Sequence, residues 1–587
     1  MYLMNAMRYI VLFLNWRREM RFYKLIFVFV FIFSLSSYSQ NYNEVYDQNG
    51  NVRPAYKGVI EIYESLTPAQ KRSFKKQSLR DFSKDNSLLP IPRIFTQSEY
   101  DLLVRGVKQR GKAIQRFLKD HYSGRKNYLK DNILPPTIIE RIINRNHEQE
   151  WQDYLKASHI SFWYGPDVVR ADDGKFYVLE DNPGFVGGFG DLNTAKNSLE
   201  KQIPAYKDLV NSPDPNKFYQ NMINDYKKRA DKFGGIPVIV MYTKSMAADN
   251  EETRIQRLFE EHGIEVVKVS PTKKLDKKLV STDSGVWLEK SVKSKNGNTI
   301  KRRRKVGFIV TNLEVIDLDS NHPGYKRLKL MQEAELTLDQ KDLSKKEKEN
   351  LKRLMRPDER TGEVDYFRLE LQLRHKSKYL SEIDDNIGFE GLLEHYIDGR
   401  VGLSTSPGLE FIGDKEFYIY VDKLVRYYLG EEPILKNVKS GSFAKYDPKT
   451  QKFSVDKKMF DYTSKNKDKF VFKGVGGRGG DAVWVGPKTS ASELQKVKKM
   501  ILENPENFKY QQYLDISILE DHIVDTRVLS DVGPSKVIVS DVSWGRAVQL
   551  KGGDGKVNIG SNGSETTVYV RKESKSCLST LNKVLSK

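Results

Sequence analysis

A single cysteine, Cys577, stands in a chain of 587 residues, which leaves no internal disulfide framework and no multi-cysteine metal site. It lies in a polar tail without a nearby histidine, a poor setting for a nucleophile. The apolar run Leu25 to Leu35 is far short of the ~20 residues that a membrane-spanning helix needs. No Gly-Lys-Ser/Thr sequence follows the glycine-rich stretch, so a Walker-type phosphate loop is excluded, and no repeat of 20–50 residues is visible.

What is present is ordinary for a globular chain with a large core: 39% hydrophobic and 30% charged residues. The formal charge of +20 is spread along the chain rather than gathered into one arm. Attraction for anionic substrates such as nucleotides is a sufficient use of it, and no nucleic-acid partner is expected. A secreted polyanion-binding protein is a reading that rests on charge alone.

Arg21 and Lys24, then Leu25 to Leu35, then Ser37-Tyr38-Ser39 have the three parts of a secretory signal peptide. Residues 1–39 therefore read as a signal, with Met20 a plausible true start. The expectation is export, periplasmic or secreted, with no stable membrane span after removal. An uncleaved anchor or a buried helix is the alternative, and a mis-assigned N-terminus would leave the protein cytoplasmic.

The most informative stretch is DVVRADDGKFYVLEDN, Asp167 to Asn182. Asp173-Gly174 suits a two-residue hairpin turn, since Asp-Gly tolerates positive φ. Asp172 then pairs with Lys175, and counting outward sets Asp167 opposite Glu180. Two like charges at a cross-strand position repel unless a cation sits between them. Asn182 projects from the same face as Glu180. Oxygen ligands without histidine or cysteine suit Mg²⁺; an acidic, solvated hairpin is the competing reading.

FVFKGVGGRGGDAVWVGP, Phe470 to Pro487, places Lys473 at the end of a strand, then five glycines in seven residues, then another strand. Glycine lets backbone N–H groups approach phosphates, and the lysine supplies charge; a flexible surface turn is the alternative. Ser490 and Glu493 fit a capping box for a helix running to Glu503, and Tyr510 to Ser517 reads as the next strand. Lys415 opens a helical stretch, where a cation opposes the helix dipole unless an anion compensates. Asp525, Arg527, Arg546 and Asn558 fall on strands or their ends, and the arginines are the cations that a phosphoryl-transfer site needs.

Elsewhere, Ser98 to Tyr122 carries apolar residues at helical spacing. Gly235-Ile236-Pro237 opens a buried strand at Val238 to Thr243, and with a helix at 250–262 and a strand at 264–269 it reads as a βαβ unit. The basic run from Lys301 leads exposed into a strand at Val306 to Val310. Leu336 to Arg360 reads as a charged, solvated helix or helical insertion.

In sequence order, GVKQRGKAIQRFLKDHY, GPDVVRADDGKFYVLEDN, SPGLEFIGDK, RYYLGEEPILKNV and FVFKGVGGRGG resemble the circularly permuted ATP-grasp family, type 2, and the metal hairpin preceding the lysines is the rotated order that glutathionylspermidine synthetases share. The resemblance implies an α/β (α+β) fold, a circularly permuted ATP-grasp with a glutathione-synthetase-like α/β substrate domain. It implies ATP and Mg²⁺ as cofactors, with a small-molecule or peptide carboxylate and an amine acceptor joined by a ligase. Lys415 and Lys473 would contact ATP, Gly476, Gly477, Gly479 and Gly480 would cover its phosphates, and Gln511 and Gln512 would lie at the adenine hinge. Asp167, Glu180 and Asn182 would bind the metal, and Arg546, Arg527 and Asn558 would serve the chemistry.

The chain departs from the family at EDNPGFVGGFGD, which lacks the usual arginine and PSG turn, and at Gln512, where an acid is usual. An exported nucleotide-binding protein without ligase activity is the alternative. The expected segments are 1–39 signal, 40–95 N-terminal extension, 96–234 with the metal hairpin, 235–400 α/β domain with the charged insertion, 401–572 ATP-binding segment and 573–587 polar tail.

Overall fold

The computed structural model describes residues 41–81, 87–145, 159–209, 213–242, 250–269, 277–313, 315–338, 340–355, 364–376, 389–450, 452–476, 482–557 and 563–571. The segments expected as signal and polar tail, with Cys577, and the positions Gly477, Gly479, Gly480 and Asn558 lie outside the described residues.

Sequence-distant segments share one eight-stranded sheet. Its order is Arg93–Thr96, Ser564–Arg571, Trp544–Gln549, His522–Arg527, Asp167–Arg170, Phe176–Glu180 and Lys436–Asn437, with Ile518–Leu519 paired beside His522–Arg527. The first of these strands straddles the 95/96 boundary, and residues 43–81 and 87–91 close the adjoining core with Val45, Tyr56, Leu89 and Ile91 against Tyr569 and Ala547. The opposite core centres on the helix Gln97–Tyr122, which Thr96 and Glu99 start with a capping box.

A second sheet carries the βαβ unit: Ile236–Tyr242 lies between Glu265–Val269 and Thr299–Thr311, parallel to both, and the helix Glu251–Glu261 crosses over. The strand expected at Val306–Val310 runs through the basic stretch as well. Residues 299–305 pair with the strand Gly285–Lys293, which pairs in turn with Lys277–Thr282, so the ladder satisfies backbone groups while most of the basic side chains stay exposed. The charged stretch expected as one helix from Leu336 is also different: a helix ends at Leu338 and another, Lys345–Leu354, starts from a Ser344 cap. With Tyr366–Lys376 they enclose their own core of Leu330, Ala334, Leu351, Leu354, Leu369 and Leu373.

A third, four-stranded sheet runs Ser440–Ser442, Phe508–Gln512, Phe470–Gly474 and Val483–Val485. Period-two alternation divides it: Phe472 and Phe508 join Leu494, Val497 and Ile501 of the helix Ala491–Glu503 in a core, while Val471, Lys473 and Gln511 face the large sheet and line the cavity between the two. The strand expected to begin at Tyr510 begins at Phe508 and ends at Gln512.

Candidate functional site

The metal hairpin reaches its expected pairing by an unexpected route. Its loop is Asp172, Asp173 and Gly174, closed by Ala171 N–H to Lys175 C=O at 3.0 Å, with Gly174 at φ 75°. Three-residue hairpin loops need such a left-handed last residue. The register is therefore one residue off the two-residue expectation: Arg170 faces Phe176 and Val168 faces Val178. An irregularity between Asp167 and Val168 then restores Asp167 opposite Glu180, with Leu179 as the extra residue.

The Glu-Asp-Asn triplet splits by strand parity. Asp181 turns into the core, where Arg110 of the helix Gln97–Tyr122 holds it bidentately at 2.7 Å and 2.7 Å and Tyr164 donates at 2.6 Å. Glu180 and Asn182 line the cavity. Arg170, on the other face of its strand, pairs with Glu99 at 2.9 Å and stacks on Tyr42 and Phe176, a structural role.

Asp167 is more heavily engaged than a bare metal ligand. Arg527 Nε donates to its Oδ1 at 2.7 Å and Arg546 Nη2 meets its Oδ2 at 2.9 Å. Arg546 also grips Asp525, opposite it in register, through Nε at 3.0 Å and through Nη2. Burial alone would raise the Asp167 carboxyl; Arg527 and Arg546 reverse that and hold it well below the ordinary range. Asp525 keeps a raised pKa from burial, with Asp167 adding to it. Among the described residues, Nη1 of Arg546 makes no hydrogen bond, leaving one edge of the guanidinium for an anion.

The opposing wall is cationic too. Lys473, 7% exposed, lies in it, and Lys415, 2% exposed, is buried behind the lining. Lys415 meets Glu180 at 3.5 Å, and its backbone N–H donates to Val475 C=O at 3.2 Å, tying it to the end of the Lys473 strand. Burial, then repulsion from Lys415, lowers the Lys473 pKa against the pull of Glu180 and Asp167. Gly476 follows that strand, and Gly474 N–H to Ala482 C=O at 2.7 Å closes the base of the glycine loop. Gln511 and Gln512 line the cavity with the apolar Leu179, Val471, Val483, Val485, Leu514 and Ile516, and Gln511 Nε2 donates to Tyr418 Oη and Leu179 C=O.

Two lysines escaped the sequence reading. Lys509 is 1% exposed, sits directly opposite Lys473 in the sheet and places its ammonium 4.1 Å over the Tyr418 ring. The strand assigned from Tyr510 left it out; starting at Phe508, parity with Gln511 would have placed it on the cavity face. Lys556 lines the cavity two residues before Asn558.

The residues present fit a magnesium–nucleotide complex. Mg²⁺ takes one or two carboxylates and completes its shell with phosphate oxygens and water. Glu180 would supply the carboxylate, and Asn182, whose Nδ2 is committed to Gly165 C=O at 3.1 Å, would offer its amide oxygen.

Lys473 on its strand and an oxygen-donor hairpin, facing each other across a cleft between two sheets, are features of an ATP-grasp protein. The sequence profile of circularly permuted ATP-grasp type 2 matches residues 92–267 and 349–534, more than half of the chain, and the protein belongs to that family. It is 24% identical to an uncharacterized protein of Synechocystis sp., over 81% of this chain and 84% of that one. It is also 24% identical to a Frankia alni protein named "Putative glutamate--cysteine ligase 2-3", over 85% of this chain and half of that longer one. A solved glutathione synthetase-like effector from Globodera pallida overlays with TM-score 0.45 and 10% identity, over 87% of this chain and 99% of that one.

Proposed function

We propose that the protein uses ATP and magnesium to make an amide or peptide bond through an acyl phosphate. The observation that carries this is the convergence, on one cleft, of Lys473, Arg527 and Arg546 from three separate strands, with Lys415 buried behind Glu180 at 3.5 Å. Phosphoryl transfer asks a protein chiefly for positioning and charge stabilisation, which such a cation set supplies.

In the first step a substrate carboxylate oxygen bonds to the γ-phosphorus and the bond to the β–γ bridging oxygen breaks, releasing ADP. In the second, an amine attacks the acyl carbon, phosphate departs with the bonding pair, and the amine loses a proton. Lys415 and Lys473 offset charge on the transferring group, and the open Nη1 edge of Arg546 faces the developing oxyanion. Bound magnesium would neutralise phosphate charge, held by Glu180 and Asn182; Asp167 would join only by releasing an arginine. The N-terminal segment directs export in this reading.

Hydroxylamine tests the acyl phosphate. With ATP, magnesium and the cognate acid but no amine, it should trap a hydroxamate. Amide formation without trapping would overturn the intermediate. ATP binding without turnover across a broad panel of acids and amines would favour a nucleotide-binding protein without ligase activity, a reading that the unusual loop after Asn182 motivates.

A further inference from the structure

Register sets Lys473 directly opposite Lys509, with Val471 opposite Gln511 on the same face. Side chains so paired have Cβ atoms about 4.5–5.5 Å apart, and like charges there destabilise. Both lysines are buried, so water screens them poorly.

The neighbouring groups do not cancel this repulsion. Glu180, from the hairpin, engages Lys415 at 3.5 Å. Asp414 accepts the Glu416 N–H at 2.8 Å, and Asp167 holds two arginines. Tyr418 offers Lys509 its ring face, but its hydroxyl donates to Val178 C=O at 2.6 Å and burial raises its pKa, so it brings no negative charge; Arg110 lies 5.7 Å from the same ring. Burial first, and Lys473 second, push the Lys509 pKa well below that of an ordinary lysine. Lys473 lines the cavity, whereas Lys509 does not reach its wall. An anion in the cavity would therefore act on Lys509 through the field it shares with Lys473.

We propose that Lys509 is a proton-linked positioning residue: a neutral amine beside Lys473 while the cavity holds no anion, and an ammonium once a polyphosphate enters. Nucleotide binding then takes up a proton from solvent, and affinity weakens as pH rises. Proton uptake on binding is the linkage expected when a ligand raises a group's pKa. The inference rests on reading the cavity as a nucleotide site.

The test is titration calorimetry of the full chain with ATP and EDTA, in buffers of low and high ionisation enthalpy. At about pH 8 the terminal phosphate, with a second pKa of about 6, is already deprotonated. The wild type should take up a substantial fraction of one proton per ATP, and affinity should fall by up to about tenfold per pH unit. Lys509→Met should abolish both effects. Lys509→Arg, charged at every pH, should bind ATP with no uptake and a flat pH profile, which separates loss of the titrating group from loss of fold. Uptake persisting in both variants, or binding by the wild type without uptake, overturns the role of Lys509 alone. Failure of the wild type to bind ATP overturns the nucleotide reading itself, and this inference with it.

Discussion

Replacing Arg546 by Met tests the wiring beneath the cavity. Arg546 pairs with Asp525, 1% exposed, through Nε at 3.0 Å, and with Asp167 at 2.9 Å. Asp167 keeps Arg527 at 2.7 Å, but Asp525 loses its ion pair. Removing one partner of a buried pair costs about 3–5 kcal/mol, because the other charge is left uncompensated. Asp525 can limit that cost by taking a proton. Its folded-state pKa is already raised and the substitution raises it further. A carboxyl of that kind leaves stability intact below its ordinary pKa of about 3.9 and removes it as pH rises through the folded value. Urea unfolding should therefore show Arg546→Met closer to wild type near pH 5 than near pH 8. Adding Asp525→Asn should restore about 2 kcal/mol or more at pH 8 by removing the unpaired charge. A loss below about 1 kcal/mol that ignores pH, or no rescue by Asp525→Asn, would refute this reasoning.

Lys473→Met should stabilise the nucleotide-free protein at neutral pH while weakening ATP binding at least tenfold, about 1.4 kcal/mol; thermal unfolding and calorimetry check the two halves. Glu251 is raised to about 8 by burial and by Asp191, although Gly190 and Gly188 donate to it. Its contribution to stability should be full below the ordinary glutamate pKa and fall as pH climbs through about 8, and Glu251→Gln should flatten that slope in denaturant titrations. Gly188 sits at φ 106° with Trp544 2.6 Å from where a Cβ would lie. Gly188→Ala should cost about 1–3 kcal/mol in unfolding free energy and, through Gly187 C=O, loosen the 3.2 Å bond to Arg527.

Local rules carried much of the architecture. The helix Gln97–Tyr122, the βαβ unit and the Ser490 capping box follow from periodicity and caps, which act over a few residues. The Asp167–Glu180 pairing is different: it was reached through two compensating departures, a three-residue loop and an irregularity next to Asp167, so the right pair came from the wrong register. The charged stretch after Leu336 gave no glycine or proline to mark its break, and the interruption shows only in the Ser344 cap. Long-range pairing was illegible. Asp167 and Arg527 are separated by 360 positions, and no local pattern says that Asp167 meets two arginines before any metal. Lys509 stayed hidden for a smaller reason, a strand begun two residues late.

In the proposed function the cleft between the two sheets holds ATP for ligation. Phosphate release by the full chain with ATP, magnesium and a panel of amino acids, peptides and polyamines tests it most directly. Release that depends on a particular acid and amine together, and that Lys473→Met abolishes, is the predicted result. Release indifferent to Lys473→Met, or ATP neither bound nor consumed under any combination, would contradict it.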